Sequence, residues 1–221
     1  MQFYSLTVDK FLDHAAKWSG EREIVTADAG GVACRTGYAA LRERANRLSG
    51  ALAALGLEFG DRVGTLAWNS QHHLEIYYAA MGAGLVCHTL NPRLTSAQLA
   101  AMINEAGNRA LAVSADLAPL LAQLTPLCPR IEHIILMDGE EAAPDIPGHR
   151  ARLWTHEGLL DAHGAPVAWG RFDEQSAAGR CYTSGTTGSP KGVLYTHRSN
   201  YLHPLRARSE ERRVGKECRS R

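Results

Sequence analysis

Between Tyr38 and Ser114 the chain alternates between a helical and a strand-like hydrophobic pattern, and that alternation leaves few architectures open. Tyr38, Leu41, Ala45, Leu48, Leu52 and Leu55 recur at spacings of three and four and stop at Gly56, which predicts an amphipathic helix. Arg62 to Trp68 then reads as a buried strand. Ser70 is placed to cap a second helix carrying Leu74, Tyr77, Tyr78 and Met81, which ends near Gly82 and Gly84; Leu85 to Thr89 predicts the next strand. A third helix starts at Thr95 or Ser96 and runs through Ala106, and a strand follows near Ala110 to Ser114. Strands separated by helices of this length pair in parallel through right-handed crossovers. The fold class expected is therefore α/β, with βαβ units around a largely parallel sheet.

Composition agrees, since 221 residues with 45% hydrophobic and 21% charged side chains suffice for one or two domains with a sizeable core. No internal repeat is visible. A formal net charge of +1 leaves no basic excess for a nucleic-acid partner. Asp9, Lys10, Asp13 and Lys17 stand where a secretory leader would be apolar, and no run approaches the roughly eighteen apolar residues of a membrane span. Cys34, Cys87, Cys128 and Cys181 lie far apart, without CxxC spacing or histidine companions, and read as the reduced structural cysteines of a cytoplasmic protein. Asp138 to Gly148 reads as an exposed loop.

The chemistry concentrates in CYTSGTTGSPKGV, Cys181 to Val193. Thr183 to Gly188 supplies four hydroxyls and two glycines in six residues, and Pro190, Lys191 and Gly192 follow. Buried hydroxyls without partners cost stability, so this stretch belongs on a surface or in a cleft. Its apolar flanks read as strand ends joined by a turn. Glycine lets successive N–H groups converge on an anion, the hydroxyls add donors, and Lys191 adds a mobile positive charge, a set suited to a polyphosphate. It is not the GxxxxGK[ST] phosphate loop, because Gly192 and a strand-like run follow Lys191. A flexible linker would need neither Pro-Lys-Gly nor ordered apolar flanks.

This loop resembles the signature of the adenylate-forming superfamily of acyl-CoA synthetases, luciferases and peptide-synthetase adenylation domains. GDRVGTLAWNS at Gly60 to Ser70, LEIYYAAMGAGLVCHTLNPRL at Leu74 to Leu94 and LYTHRSNYLH at Leu194 to His203 resemble its fatty acyl-CoA ligase branch, in the order that branch has them. The resemblance implies that residues 1–205 form the first part of a large N-terminal AMP-binding domain. It implies a ligase that joins a small-molecule carboxylate to ATP as an acyl-adenylate and passes the acyl group to coenzyme A. It further implies that Thr183, Ser184, Gly185, Thr186, Thr187, Gly188 and Lys191 contact the phosphates and that Thr183 helps to place Mg²⁺. No catalytic side chain is assigned, because the substrate carboxylate is itself the nucleophile. The family's later adenine, ribose and lysine motifs are missing, so this chain alone is expected to be inactive, and a homodimer is an option for a full-length parent. Two other readings stay open: an adenylation domain that loads a carrier protein, and a non-catalytic nucleotide-binding protein that keeps the loop only.

Several residues invite larger claims. His72 and His73 are adjacent, point about 100° apart on a helix, and show no acidic or cysteine partner at helical spacing; they are taken as surface or core residues rather than metal ligands. His197 and His203 flank Arg198 just after the loop, and a helix-start or packing role is favoured over one in the cleft. Trp68 and Tyr77 are assigned to core packing rather than to an acyl pocket.

Hydrophobic periodicity ceases in the tail RSEERRVGKECRSR, residues 208–221, which resembles the in-frame translation of a short-read sequencing adapter and is read as non-native. The coding DNA is expected to match the adapter codon by codon, leaving Cys218 without a biological role. Sequencing of the source locus checks this, and synonymous codons scattered through the segment would refute it.

Overall fold

Helix caps and strand burial explain most of the element boundaries in the computed structural model, which describes residues 4–28, 31–138, 150–183 and 190–217. After α1 (Asp9–Ser19), β1 (Glu23–Asp28) and β2 (Gly31–Gly37) pair as an antiparallel hairpin that the periodicity had not disclosed. Next come α2 (Tyr38–Ala54), β3 (Arg62–Leu66), α3 (Gln71–Gly82), β4 (Val86–Leu90), α4 (Ser96–Ala106) and β5 (Asn108–Ser114). The Ser70 side chain accepts from the His73 N–H at 3.2 Å, which starts α3 where the sequence places it. Thr95 and Gln98 exchange the two bonds of a capping box at the head of α4. Gly107 ends α4 in the left-handed conformation at φ 68°, which costs a residue without Cβ little.

β3 stops two residues short of the expected Trp68. The Trp68 N–H donates to Ser114 Oγ at 3.2 Å instead of to a ladder partner, so the chain leaves the sheet there. Beyond β5, short helical turns containing α5 (Leu121–Leu124) lead to β6 (His133–Met137). The chain continues through β7 (Arg152–Thr155), α6 (His156–His163), β8 (Ala177–Thr183), β9 (Lys191–Thr196) and α7 (His197–Glu217). Of the expected loop, only Asp138 is among the described residues, and it is exposed with φ 59°. The non-native reading of 208–221 falls partly on the last turns of α7.

Seven strands form one sheet in the order β7-β6-β5-β3-β4-β8-β9, parallel throughout except for the antiparallel pair β8 and β9. Alternate residues of each strand enter opposite cores, as the pleat requires. Ala110 and Ala112 of β5, with Ile135 and Met137 of β6, face α2, α3 and α6 through Leu52, Ile76 and Leu160. Leu111 and Val113, with Ile134 and Leu136, face α4 and α5 through Leu99, Ile103 and Leu121. Both faces are thus covered, the usual condition of a parallel sheet.

Gly50 lies where α2 passes the segment after α6, and a Cβ there would stand 2.0 Å from the Ala165 carbonyl oxygen. In an open helix Gly→Ala would gain about 1 kcal/mol of helix propensity, but here backbone must move. Gly50→Ala is expected to destabilise the fold by about 2 kcal/mol, toward the upper range for overpacking, measured as a lowered midpoint in denaturant unfolding.

Candidate active site

The two ends of the predicted phosphate loop are the facing ends of β8 and β9. Thr183 pairs with Lys191 in the antiparallel register, and both side chains are exposed. β8 pairs with β4 only at Gly179 and Arg180, so the residues from Cys181 to Thr183 run past the shared ladder. Residues directly opposite in an antiparallel pair hold their Cβ atoms about 5 Å apart, so the Thr183 and Lys191 side chains leave the same face of the pair. The apolar flanks form the two strands read from the sequence. Ser184, Gly185, Thr186, Thr187 and Gly188 lie outside the described residues.

The same end of the sheet carries a second feature. An open cleft of about 440 Å³ lies beside the carboxyl ends of β3 and β4, lined among others by Ile24, Thr26, Asn69, His73, Tyr77 and Thr89. Open α/β sheets bind ligands at the carboxyl ends of their strands, and β8 delivers Thr183 toward that end because it runs parallel to β4. His73 donates from Nδ1 to the Trp68 carbonyl at 3.0 Å, while Nε2 accepts from the Thr65 hydroxyl at 3.0 Å. Burial lowers its pKa and favours this neutral form. Tyr77 packs against the core, as assigned, and also lines the cleft. Trp68 is 44% exposed and donates to Asp116 at 2.7 Å, which corrects its assignment to the core: where β3 leaves the sheet its indole turns to the surface.

His72 belongs to a polar cluster drawn from four places in the chain. Its Nδ1 bonds Asp138 at 2.7 Å and its Nε2 bonds Glu157 at 3.1 Å. His156 donates from Nε2 to Glu75 at 2.7 Å, and Arg44 bridges Glu75 and Glu157. Burial would raise the Glu75 pKa, but the bonds from His156, Arg44 and Gln71 hold it down to about 2. For His72, burial opposes the charge, yet the Asp138 bond and the surrounding carboxylates carry its pKa above the ordinary value. The expectation that the pair lacks acidic partners is therefore corrected. Glu75 stands three residues after His72, and Asp138 and Glu157 arrive from β6 and α6, where helical spacing could not reveal them.

His197 is fully buried at the head of α7, where its Nδ1 accepts from the Val8 N–H at 3.3 Å and its ring meets Phe172. His203 is exposed further along α7. The packing role favoured for His197 is what the fold gives it. The four cysteines from Cys34 to Cys181 are free thiols, and burial pushes Cys87 up to about 12 and Cys128 to about 11, which makes both poor nucleophiles. No helix among the described residues is long and apolar enough to cross a membrane.

The family model for AMP-binding enzymes matches residues 11–217. A 3-methylmercaptopropionyl-CoA ligase of Ruegeria lacuscaerulensis is 43% identical over 213 residues, which are 96% of this chain and 39% of that protein. A medium-chain-fatty-acid–CoA ligase of Ectopseudomonas oleovorans is 39% identical over 202 residues, 90% of this chain and 36% of its own length. Among solved structures, the anthranilate CoA ligase AuaEII in complex with anthranoyl-AMP superposes with a TM-score of 0.78 at 21% identity, over 93% of this chain and 36% of that one. The chain thus spans under two-fifths of the length of these relatives.

Desolvation lowers the His197 pKa to about 4 against the smaller opposing pull of Asp9. The folded protein then binds fewer protons here than the unfolded chain between pH 6.5 and 4, so stability is fully present above 6.5 and falls as pH drops through that window. The loss from this one group approaches about 3 kcal/mol. His197→Gln is expected to show a shallower decline in unfolding free energy from pH 7 to pH 4, measured by urea titration at each pH.

Proposed function

This chain belongs to the AMP-binding enzyme family, and we propose that it is the first part of an ATP-dependent fatty-acid or related carboxylate–CoA ligase that works through an acyl-adenylate. The observation that carries the reading is the register of β8 and β9, which sets Thr183 opposite Lys191 at the two ends of the loop TSGTTGSP. In this reading the loop holds the β- and γ-phosphates of ATP, with Ser184, Gly185, Thr186, Thr187 and Gly188 supplying N–H and hydroxyl donors between those ends. Lys191 places a positive charge where pyrophosphate departs, a contribution to charge stabilisation rather than to bond making. Pro190 stiffens the return into β9 by fixing φ. The exposed Thr183 hydroxyl is a hard oxygen donor of the kind Mg²⁺ accepts, so Thr183 would help to hold the ion, which would offset phosphate charge.

The relatives support coenzyme A as the acceptor of the acyl group, since the two described above are CoA ligases. Leu194 and Tyr195 on β9, and Leu202 and Leu205 on α7, are exposed apolar side chains that further chain in the longer parent would cover. The protein is proposed to act in the cytoplasm.

The test is ATP-dependent thioester formation by the full-length protein with a panel of carboxylates and free coenzyme A, read as pyrophosphate release and acyl-CoA by mass. Lys191→Ala is expected to lower kcat/KM for ATP by about 10- to 100-fold, as loss of one charge-assisted contact of about 1.5–3 kcal/mol implies, with the fold intact. Unchanged ATP dependence would remove Lys191 from the site. The 221-residue chain assayed alone is expected to form no acyl-adenylate above background. Transfer to a carrier protein but not to coenzyme A would move the chain to the alternative adenylation class.

A further inference from the structure

In the cluster beside α3 and α6 each imidazole has one nitrogen bonded to a carboxylate that orients it, while the other nitrogen of His72 faces Glu157 and that of His156 faces no partner. His72 Nδ1 lies 2.7 Å from Asp138 Oδ1, and His156 Nε2 lies 2.7 Å from Glu75 Oε2. This is the arrangement by which carboxylates orient metal-ligating histidines and raise their basicity. The uncommitted nitrogen of His156, Nδ1, is buried with no hydrogen-bond partner, on a side chain only 2% exposed. An orphaned buried nitrogen of this kind costs stability unless something binds it. His72, His156 and Glu157 each offer one ligand atom, and these atoms lie within 4.8 Å of one another.

We propose that His72, His156 and Glu157 form a binding site for one divalent ion of the zinc type. His72 would ligate through Nε2, His156 through Nδ1 and Glu157 through a carboxylate oxygen. Ligand atoms held 2.0–2.1 Å from a tetrahedral zinc stand roughly 3.3 Å apart, so the 3.1 Å between His72 Nε2 and Glu157 Oε1 already fits, and the remaining separations, within 4.8 Å, close toward that value when the ion binds. Charge points the same way. Glu75, Asp138 and Glu157 contribute three negative charges and Arg44 one positive, leaving −2 when both imidazoles are neutral, which a divalent cation balances. Arg44 occupies part of the Glu157 carboxylate, whose remaining lone pairs are enough for one metal bond. Solvent reaches the site past Glu157, 53% exposed, so a fourth position is open to water. Without the ion, a proton on His72 Nε2 bridges to Glu157, and metal binding displaces that proton into solvent.

The site is independent of the nucleotide loop, and its test reads metal rather than turnover. Tag-free intact protein, stripped with chelator, is dialysed against Zn²⁺ and against Co²⁺, with metal content and the visible absorption of Co²⁺ as readouts. One ion per chain is expected, with nitrogen and oxygen ligand bands for Co²⁺ and an affinity that rises from pH 6 to pH 8. His72→Ala and Glu157→Gln should each weaken binding at least tenfold, and Asp138→Asn by 10- to 100-fold. Circular dichroism and melting verify that these partly exposed positions leave the fold intact, so the test does not depend on the buried His156. Failure to retain an ion, or equal retention by His72→Ala and Glu157→Gln, would overturn the proposal.

Discussion

Everything in this molecule depends on a sheet whose central parallel strands have no solvent face. Because β3, β5 and β6 alternate between two cores, α2, α3 and α6 must cover one side and α4 with the turns around α5 the other. The pairing of small with large residues sets the thickness of each layer. On β5, Ala110 and Ala112 let α2 and α3 approach closely, while Leu111 and Val113 fill the broader space beneath α4. The same closeness recurs between helices, where Ser49 Oγ on α2 donates to the Ala79 carbonyl of α3 at 2.7 Å and accepts from Trp169 Nε1 at 2.8 Å. One buried hydroxyl is thereby satisfied and ties three segments together.

A sheet wound in this way places all its polar, irregular chain at the ends of the strands. The carboxyl ends of β3, β4 and β8 collect Asn69, Ser70, Thr89 and Thr183, none of which the cores could accept without partners. The reversal at β8 and β9 matters for the same reason. An antiparallel return lets a short, hydroxyl-rich segment leave and re-enter the sheet at adjacent points, so its two ends stay in register. A GxxxxGK[ST] loop instead leads into a helix, whereas here a strand follows Lys191.

The cluster around His72 follows a different logic. Arg44, Glu75, Asp138, His156 and Glu157 come from α2, α3, the end of β6 and the start of α6, and each neutralises or orients the next. Buried charges of this sort are tolerated only when paired and hydrogen-bonded. The conformation of Asp138, at φ 59°, is what turns its carboxylate toward Ser70 and His72 as the chain leaves β6. Aspartate tolerates that backbone region better than most residues.

By itself the sequence determined whatever depends on near neighbours along the chain. Helical spacing marked α2, Ser70 and Thr95 marked the caps of α3 and α4, and the apolar flanks of TSGTTG marked the strands on either side of the loop, because each signal is local and repeats within a few residues. Trp68 marks the limit of that reading: its apolar ring counted toward a strand, but a hydrogen bond to Ser114, far along the chain, took its N–H out of the ladder. Sheet order, the exposure of that indole and the gathering of His72 with Glu157 were decided by the tertiary structure. They rest on contacts between residues tens of positions apart, and no period along one segment carries information about which distant side chain will pack against it.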